Sequence, residues 1–514
     1  MMHWIIAPVI LPALLAPILA FVMRHDIVLA RSFSIAGTVA LAAIATGLTI
    51  TAAGGETLVY ELGNWPAPFG IVLVLDRLSA AMVLLTAVLG LVVVLYAAGS
   101  GWDRRGHHFH ALFQFQLMGI FGAFLTGDTF NLFVFFEVLL IASYGLMIHG
   151  GGKARLRAGL QYVIMNLAGS TLFLFALGTI YATTGTLNIA DLSLRLQEIP
   201  ADDAALARVA AALLLVVFAV KAALFPVQFW LSGTYANAPG PVAALFAVMT
   251  KVGAYAILRF YTVIFAPGNE VTGTLPGDVL TVMALVTVAL GALGVLGTRR
   301  LMPLIAFSVL TSVGTLMLAV AGFTPEATVA ALYYIVHSTL ATALLFLVAD
   351  LVVAQRGPAQ DRLEQAPPIA QNGLLAALFF AGAIAMAGMP PLSGFLGKLL
   401  VLDALGDSDG RTVVIWATIL IGSLVTIVGF ARAGSVVFWK STALDRPEPE
   451  EDAPPAPRAP GTALSGIGAM LVLLVATTAL AGPMTAYFEG AAEQLYDPSD
   501  YVRAVLARAG EGGE

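Results

Sequence analysis

The 514-residue sequence contains no cysteine, which excludes disulfides, thiolate-ligated metals and iron–sulfur clusters. Charged residues are scarce, because they make up 11% of the chain whereas soluble domains carry about 25%. The net charge of -6 comes without a basic stripe, so nothing indicates a nucleic-acid partner. Walker A, dinucleotide-binding and nucleophile-elbow motifs are also missing. These absences argue against a soluble fold and a self-contained enzyme, and we expect no cofactor and no bound metal.

Hydrophobic residues make up 59% of the chain and lie in long, continuous runs. A transmembrane helix needs about 20 apolar residues, so the sequence has room for about fourteen. The runs fall near residues 4–22, 30–52, 72–97, 110–126, 129–148, 160–183, 206–235, 240–265, 275–297, 301–321, 326–354, 372–404, 411–440 and 463–486. Continuous rather than alternating runs argue against a β-barrel. We therefore predict an all-α polytopic membrane protein with about 14 transmembrane helices.

Basic residues are concentrated in alternate loops, which predicts the orientation of the chain. One set of loops carries Arg24, Arg31, Arg104, Arg105, Lys153, Arg155, Arg157, Arg299, Arg300, Arg356, Arg362, Lys440, Arg446 and Arg458. The opposite loops carry mainly acidic residues, which are Glu56, Glu61, Asp191, Glu198, Asp202, Asp203, Glu270 and Glu326. Because basic loops stay in the cytoplasm, both termini are expected on the non-cytoplasmic side of a bacterial inner membrane.

The segment from Leu213 to Tyr255 holds two lysines, Lys221 and Lys251, and no acidic residue. A charge at membrane depth costs at least about 2.5–3.5 kcal/mol on insertion scales. Pro226 removes a backbone donor five residues after Lys221 and interrupts the helix. The carbonyl groups freed by the interruption can hold water beside the lysine. A buried lysine next to a broken helix indicates an ion-translocating protein.

A second segment with the same features lies in the twelfth run, where Pro390 and Pro391 precede Lys398. Interrupted helices at corresponding positions of two five-helix units are typical of inverted-repeat transporters. We predict two inverted units, formed by spans 4–8 and 9–13, with broken helices 7 and 12. The expected regions are an N-terminal three-helix region (1–109), the two units (110–265 and 275–440), a Pro-rich acidic cytoplasmic loop (441–462) and a last helix with a tail (463–514).

Glu137 lies near the middle of the fifth run. Acidic residues inside membrane spans mostly mark ion pathways, which favours Glu137 as the counter-ion of a buried lysine in a proton relay. A helix-to-helix hydrogen-bonding acid is the alternative. Lys221 is the expected partner, since a lysine that gains and loses a carboxylate can release and recapture a proton.

Three further residues extend the predicted relay. Lys251 lies too centrally in the eighth run for simple snorkelling to the interface, which is the alternative. His337 is the only histidine deep inside a run, and an imidazole titrates near neutral pH, although a packing role competes. Lys398 is the expected last residue, with Asp403 either as its partner or as an interfacial acid. Thr342 is expected to add a hydroxyl to the same strip.

Other polar residues are interpreted as structural. Arg259 lies near the outer end of the eighth run and is expected to snorkel. Asp76 and Arg77 open the third run and are expected to pair with each other. Three histidines share one basic loop, namely His107, His108 and His110. They resemble a metal site only superficially, because acid or thiol ligands at useful spacing are missing.

Four motifs carry a resemblance to a known superfamily: FFEVLLIASY around Glu137, VKAALFPVQFW around Lys221, APGPVAALFAVMTKVGAY around Lys251 and GMPPLSGFLGK ending at Lys398. With them, nearly the whole chain resembles the antiporter-like membrane subunits shared by Mrp-type cation/proton antiporters and respiratory complex I. The resemblance implies fourteen helices, two inverted five-helix units and a hydrated charged axis at mid-membrane. It also implies a Glu137–Lys221 pair coupled to Lys251 and Lys398.

Within this superfamily the chain is most similar to the D-type components of Mrp antiporters, through its MHW start, the stretch YYIVHSTLATALLFLVADL and its length. This implies a hetero-oligomeric membrane complex that exchanges Na⁺ or K⁺ for protons and serves pH homeostasis. Several relatives carry a lysine where this chain has Thr342, so the central step would rest on His337 and water. A proton-pumping subunit of a complex I-like oxidoreductase or membrane-bound hydrogenase is the alternative, and a scaffold subunit without transport is a third.

Overall fold

The computed structural model describes residues 2–200, 202–406, 410–443 and 458–507, and helices dominate these ranges. Eleven helices in them are long and apolar enough to cross a membrane: Ile27–Ala52, Arg77–Ser100, Thr129–Met147, Lys153–Thr184, Ala205–Ala222, Gly240–Ile264, Leu275–Gly297, Leu301–Ala321, Pro325–Gln355, Thr412–Thr442 and Gly461–Ala479. Three shorter apolar helices are Ala7–Val22, Phe109–Leu125 and Asn372–Ala387. These fourteen segments follow the fourteen predicted runs in order, so the predicted all-α polytopic fold is confirmed.

The seventh and twelfth spans are broken, as predicted. The seventh consists of Ala205–Ala222 and Phe229–Asn237, and Pro226 lies between the two halves. The twelfth consists of Asn372–Ala387 and Ser393–Ala404, with Pro390 and Pro391 between them. Both first halves end at a residue with left-handed backbone, Ala223 (φ 59°) and Gly388 (φ 80°), which is a common way to stop a helix.

The remaining elements lie at the ends of the spans. Strands β1 (Leu58–Glu61) and β2 (Val72–Leu75) form an antiparallel hairpin before the third span, with Leu58 opposite Leu75. A helix at Ile189–Arg195 follows the sixth span, and helices Ala481–Tyr496 and Ser499–Leu506 follow the fourteenth. Short 3-10 helices are Met2–Trp4, Leu62–Asn64, Trp102–Arg105, Leu196–Glu198, Gly357–Ala359 and Lys440–Ala443.

Three predicted boundaries are wrong. The sixth run is predicted from residue 160, but its helix begins at Lys153. The third run was expected to begin at residue 72, but residues 72–75 form β2 and the helix begins at Arg77, after its N-cap Asp76. The fourteenth run was expected to extend to residue 486, whereas the span ends at Ala479 and a separate helix starts at Ala481. Most of the predicted Pro-rich acidic loop, residues 444–457, lies outside the described residues.

The eighth, tenth and eleventh spans are the most enclosed of the set. In the most apolar 18-residue stretch of these spans, 100%, 94% and 89% of the residues are buried. In the second, thirteenth and fourteenth spans the corresponding shares are 28%, 33% and 33%. The fold therefore surrounds the eighth and eleventh spans, which carry Lys251 and His337, with other helices. Both side chains must find polar partners within the protein or in water bound inside it.

A tight turn joins the fourth and fifth spans and is closed by Asp128. One carboxylate oxygen of Asp128 accepts a hydrogen bond of 2.7 Å from the backbone N–H of Asn131, which caps the fifth span. The side chain is 9% exposed. Burial raises the pKa of the Asp128 carboxyl to about 6, in spite of the hydrogen bonds donated by the backbone N–H groups of Asn131 and Phe130.

We predict that Asp128→Asn stabilises the protein at pH 8 but has little effect below about pH 4. The folded state keeps the Asp128 proton to a higher pH than the unfolded chain, so ionisation costs stability as the pH rises from about 4 to above 6. Asparagine keeps the capping oxygen without the charge. The melting temperature of the purified protein at the two pH values measures the effect. Asp26→Asn, at an exposed N-cap, is the matched control, and an equal shift in both variants at both pH values would contradict the prediction.

Candidate functional site

The eighth span lies directly on the break in the seventh. A Cβ atom at Gly253 would stand 2.6 Å from the backbone nitrogen of Ala222, so only glycine permits this approach. Lys251 is two residues before Gly253, and Lys221 immediately precedes Ala222. The sequence separates the two lysines by thirty residues, and the close contact of their helices brings them to the same level of the structure.

Lys221 is 7% exposed and lies in the last turn of the first half of the seventh span. Its Nζ donates a hydrogen bond of 3.4 Å to Oδ1 of Asn166 and lies 5.6 Å from the ring centroid of Phe136. A cavity of about 10 Å³ adjoins Lys221 and Asn166, and it is lined also by Tyr162. A cavity of this volume has room for about one water molecule.

Glu137 is half-buried on the fifth span, and its carboxylate accepts a hydrogen bond from the Ser170 hydroxyl. Among the ion pairs within 4.0 Å in the described ranges, none joins Glu137 to Lys221. The two groups are nevertheless close enough for their charges to interact. The sixth span provides both polar contacts, since Asn166 and Ser170 lie one turn apart on the same helix face.

His337 is fully buried and contacts the start of the second half of the twelfth span. Its Nδ1 is 2.9 Å from the Ser393 hydroxyl, and Nε2 has no hydrogen-bond partner in the described part of the chain. A Cβ atom at Gly394 would come within 2.9 Å of the imidazole, so the ring lies against the helix backbone. Lys251 and Lys398 are both close enough for their charges to act on His337.

Lys398 reaches back across the break in its own span. Its Nζ donates hydrogen bonds to the carbonyl of Ala387 (2.8 Å) and to the hydroxyl of Ser423 (2.7 Å). Ala387 is the last residue of the first half of the span, where helix carbonyl groups lack partners. Asp403 is exposed, so it is an interfacial acid and the alternative role as partner of Lys398 is wrong.

Lys251 is 1% exposed. Two buried hydroxyls have no hydrogen-bond partner among the residues that the structure describes, namely that of Thr250, which precedes Lys251, and that of Thr342 on the eleventh span. The hydroxyl of Thr339, by contrast, donates to the carbonyl of Ile335 in its own helix. Lys251, His337 and Lys398 therefore form one buried basic group of side chains with unsatisfied polar atoms beside it.

Several polar partners in this arrangement were not predicted. They are Asn166, Ser170, Ser393 and Ser423. The spacing of Asn166 and Ser170, one turn apart in an otherwise apolar helix, is a signal that the sequence does contain. Ser393 of the twelfth span contacts His337 of the eleventh, and Ser423 of the thirteenth span contacts Lys398 of the twelfth. Because each contact joins two different spans, the local sequence does not indicate either partner.

Residues 126–426 match the sequence profile of the family described as NADH:quinone oxidoreductase/Mrp antiporter, transmembrane region. The chain belongs to this family. The matched segment extends from the end of the fourth span into the thirteenth and includes all the predicted relay residues, which are Glu137, Lys221, Lys251, His337 and Lys398. The chain is therefore a multi-pass membrane protein, and the relatives that match it over its full length are named as antiporter subunits, which are transporters rather than enzymes.

The similarity to known proteins extends over nearly the whole chain. The D component of a probable K⁺/H⁺ antiporter from Rhizobium meliloti is 37% identical over 100% of this chain and 99% of its own length. The D component of a Na⁺/H⁺ antiporter from Bacillus subtilis is 37% identical over 98% and 100%. A chain of the Mrp complex from Dietzia sp. DQ12-45-1b has a TM-score of 0.87 and 30% identity, with 98% of this chain and 100% of that chain covered. A chain of respiratory complex I from Thermus thermophilus has the same fold, with a TM-score of 0.78 and 23% identity. The match covers 96% of this chain and 99% of that chain.

Two structural interpretations of charged residues are wrong for this family member. Arg259 does not snorkel but is 3% exposed, and its guanidinium forms two bonds with Asp76, of 2.6 and 2.9 Å. Asp76 therefore pairs with Arg259 across 183 residues rather than with its neighbour Arg77, which donates to the carbonyl of Ala53. The ring of Tyr501, in the last helix, lies 5.3 Å from the guanidinium carbon of Arg259. This ion pair ties the third span, the eighth span and the C-terminal helix together.

The histidine-rich loop has a structural contact of its own. His110 Nε2 is 3.1 Å from the carboxylate of Asp103, which also accepts two hydrogen bonds from Arg31, of 2.8 and 2.9 Å. Within the described ranges, no group of three or more potential ligands could hold a metal ion. His110, in the first turn of the fourth span, therefore anchors the loop after the third span to the fourth, and Arg31 anchors the same loop to the second.

We predict that Asp76→Asn lowers the melting temperature of the purified protein strongly. Asparagine keeps an acceptor for the N-cap bond to Ser79, but it leaves the Arg259 guanidinium buried without its carboxylate. Breaking one side of a buried ion pair costs about 3–5 kcal/mol. Asp500→Asn is the control, because its pair with Arg503 is exposed and should contribute little. Equal melting temperatures for the two variants would contradict a structural role for the buried pair.

Proposed function

We propose that the chain is the D-type component of a multisubunit Na⁺/H⁺ or K⁺/H⁺ antiporter and that it carries protons through its buried basic residues. The observation that supports the proposal is the group formed by Lys251, His337 and Lys398, which lies inside the protein between two broken helices. The named activities of the relatives from Rhizobium meliloti and Bacillus subtilis, both similar along their full length, support the cation/proton exchange. Partner subunits would complete the complex, as in the Mrp complex of Dietzia sp..

The chemistry of the group suits proton transfer. A lysine ammonium and an imidazolium each carry one proton that they can pass on, and Coulomb repulsion opposes all three side chains being charged at once. A proton that arrives at one end therefore favours departure from the other. Unpartnered hydroxyls at Thr250 and Thr342 are positions at which water can bridge the gaps.

Glu137 and Lys221 form the other end of the proposed pathway. Asn166 accepts a hydrogen bond from Lys221, and Ser170, one turn further along the sixth span, donates one to Glu137. The two charged groups therefore lie near each other without a direct ion pair. A lysine that is not locked to a carboxylate can move between Asn166 and Glu137, and each position changes how readily it holds its proton. Within this proposal, residues 110–265 and 275–440 act as two halves of one pathway.

The orientation is part of the same proposal. Basic loops would face the cytoplasm of a bacterial cell, which leaves both termini on the opposite side of the inner membrane. Proton motive force would then drive export of the cation. The complex I-like alternative, in which redox chemistry in other chains drives proton pumping through this one, is favoured by the shared fold and by the family description, which covers both classes. Neighbouring genes for small membrane proteins would support the antiporter, and genes for flavin and iron–sulfur proteins would support the alternative.

We predict that Lys221→Ala and, separately, Glu137→Ala reduce sodium- or potassium-dependent proton flux by at least about tenfold, the scale on which a lost proton-transfer group is felt. The assembled complex is tested in everted vesicles, with assembly measured by co-purification of the partner subunits. Lys440→Ala, at an exposed lysine, is the matched control and should keep normal flux.

Normal flux and normal assembly in both variants would contradict the relay. Loss of assembly in both, with the remaining complexes fully active, would instead favour a scaffold subunit. The flux is therefore normalised to the amount of assembled complex, which separates a transport defect from a structural one.

A further inference from the structure

Asp350 is an acidic residue inside the eleventh span that the proposed relay does not use. It lies thirteen residues after His337, toward the face of the molecule that carries the basic loops. The residue is partly exposed and lines a cavity of about 450 Å³. Lys153, Arg300 and Asp361 also line this cavity, and Arg300 is paired with Asp361.

The Asp350 carboxyl is held in place by neutral partners. Its Oδ2 accepts hydrogen bonds from the hydroxyl of Tyr96 (2.7 Å) and from Nε1 of Trp102 (2.8 Å). A Cβ atom at Gly240 would stand 2.6 Å from Oδ1, so the start of the eighth span lies against the other oxygen. Within the described part of the chain, Asp350 has no ion pair shorter than 4.0 Å.

The charged and titratable groups that face Asp350 come from three directions. Tyr96 approaches from the third span, Arg105 from the following loop and Arg155 from the sixth span. The Arg105 guanidinium carbon lies 3.8 Å from the ring centroid of Trp102, and that of Arg155 lies 5.3 Å from it. Both cations are thus held over the indole that binds Asp350 rather than against the carboxylate itself. Intramembrane acids usually pair, so an acid that meets a cavity without an ion pair is free to exchange a proton.

The eighth span runs from Asp350 to Lys251. The first half of the eighth span packs along the eleventh, and Lys251 follows Gly240 by eleven residues, about 16 Å of helix. Between them the helix is interrupted after Phe246, whose carbonyl accepts a hydrogen bond of 2.5 Å from the hydroxyl of Tyr235. The ring of Tyr235 also contacts Phe346 of the eleventh span, so Tyr235 lies where the eighth and eleventh spans meet.

We propose that Asp350 exchanges protons between the basic-face cavity and Lys251. A hydronium ion in the cavity gives a proton to the carboxylate, which becomes a carboxylic acid, and a water molecule is left behind. The acid passes the proton to water bound at Thr250 and Thr342, and that water protonates the neutral amine of Lys251 to an ammonium. The carboxylate and the water are regenerated, and no other reactant is consumed. The inference rests on the proposed function, because it supplies the inner end of that pathway.

The test replaces Asp350 in the complete complex, with flux and assembly measured together. Asp350→Asn keeps the size and the hydrogen-bond acceptor but cannot exchange the proton, and flux per assembled complex should fall at least about tenfold. Asp350→Glu keeps a carboxyl and should retain most of the flux, with a pH profile displaced from that of the wild type. Glu326→Gln, at an exposed acid on the same helix, is the matched control and should leave the flux unchanged.

Comparison with Lys221→Ala separates the two proposals. If Asp350→Asn transports like the wild type while Lys221→Ala does not, the role of Asp350 is overturned and the antiporter function stands. If neither variant loses flux, the relay itself is wrong. If Asp350→Glu matches Asp350→Asn in both rate and pH profile, Asp350 acts structurally.

A second variant decides the case in which Asp350→Asn does not assemble. The chain contains no native cysteine, so Val353→Cys introduces the only thiol of this chain, in the lining of the same cavity. A water-soluble thiol reagent applied to the basic face should lower the flux at least about tenfold relative to the untreated variant. Treated wild-type complex controls for thiols of other subunits. Complete modification without loss of flux would overturn the inference.

Discussion

The cost of keeping a positive charge inside the membrane is the constraint on which the rest of this structure depends. A lysine at membrane depth needs oxygen atoms that a regular helix does not offer, because its carbonyl groups are already bonded within the helix. The structure provides them at the break of the twelfth span and at polar side chains of neighbouring helices. Lys398 uses the carbonyl of Ala387 at the end of a half-helix and the hydroxyl of Ser423, and Lys221 uses Asn166. Lys398 is therefore tolerated through a broken helix, whereas Lys221 is tolerated through an amide side chain of the sixth span.

The spans around the breaks are arranged by close helix contacts. Gly253 lets the eighth span touch the end of the first half of the seventh, and Gly394 lets the twelfth touch His337. These contacts bring basic groups from four spans into one enclosed region, and the eighth and eleventh spans at its centre are among the most buried of the set. Unpartnered polar atoms at Thr250, Thr342 and His337 lie in the same region, where bound water satisfies such groups at little cost.

The two faces of the molecule treat acidic residues differently. On the face of the hairpin and the C-terminal helix, Asp76 is locked into a double contact with Arg259 and covered by Tyr501. On the basic face, Asp350 is held by Tyr96 and Trp102 and meets a cavity without an ion pair. A paired, covered carboxylate stabilises the assembly of helices, whereas an unpaired carboxylate at a cavity is available for proton exchange.

The sequence by itself determined the fourteen spans, the two breaks and the identity of the buried basic residues. These features are local, because long apolar runs, prolines and isolated charges can be read without knowing which helices meet. Only the tertiary structure decided the partners: Arg259 with Asp76 instead of the interface, Lys398 with Ala387 and Ser423 instead of Asp403, and Glu137 and Lys221 with Ser170 and Asn166 of the sixth span. Those contacts join residues that lie tens to hundreds of positions apart. No periodicity in the sequence records which helix faces which, and so no pattern in it could have assigned them.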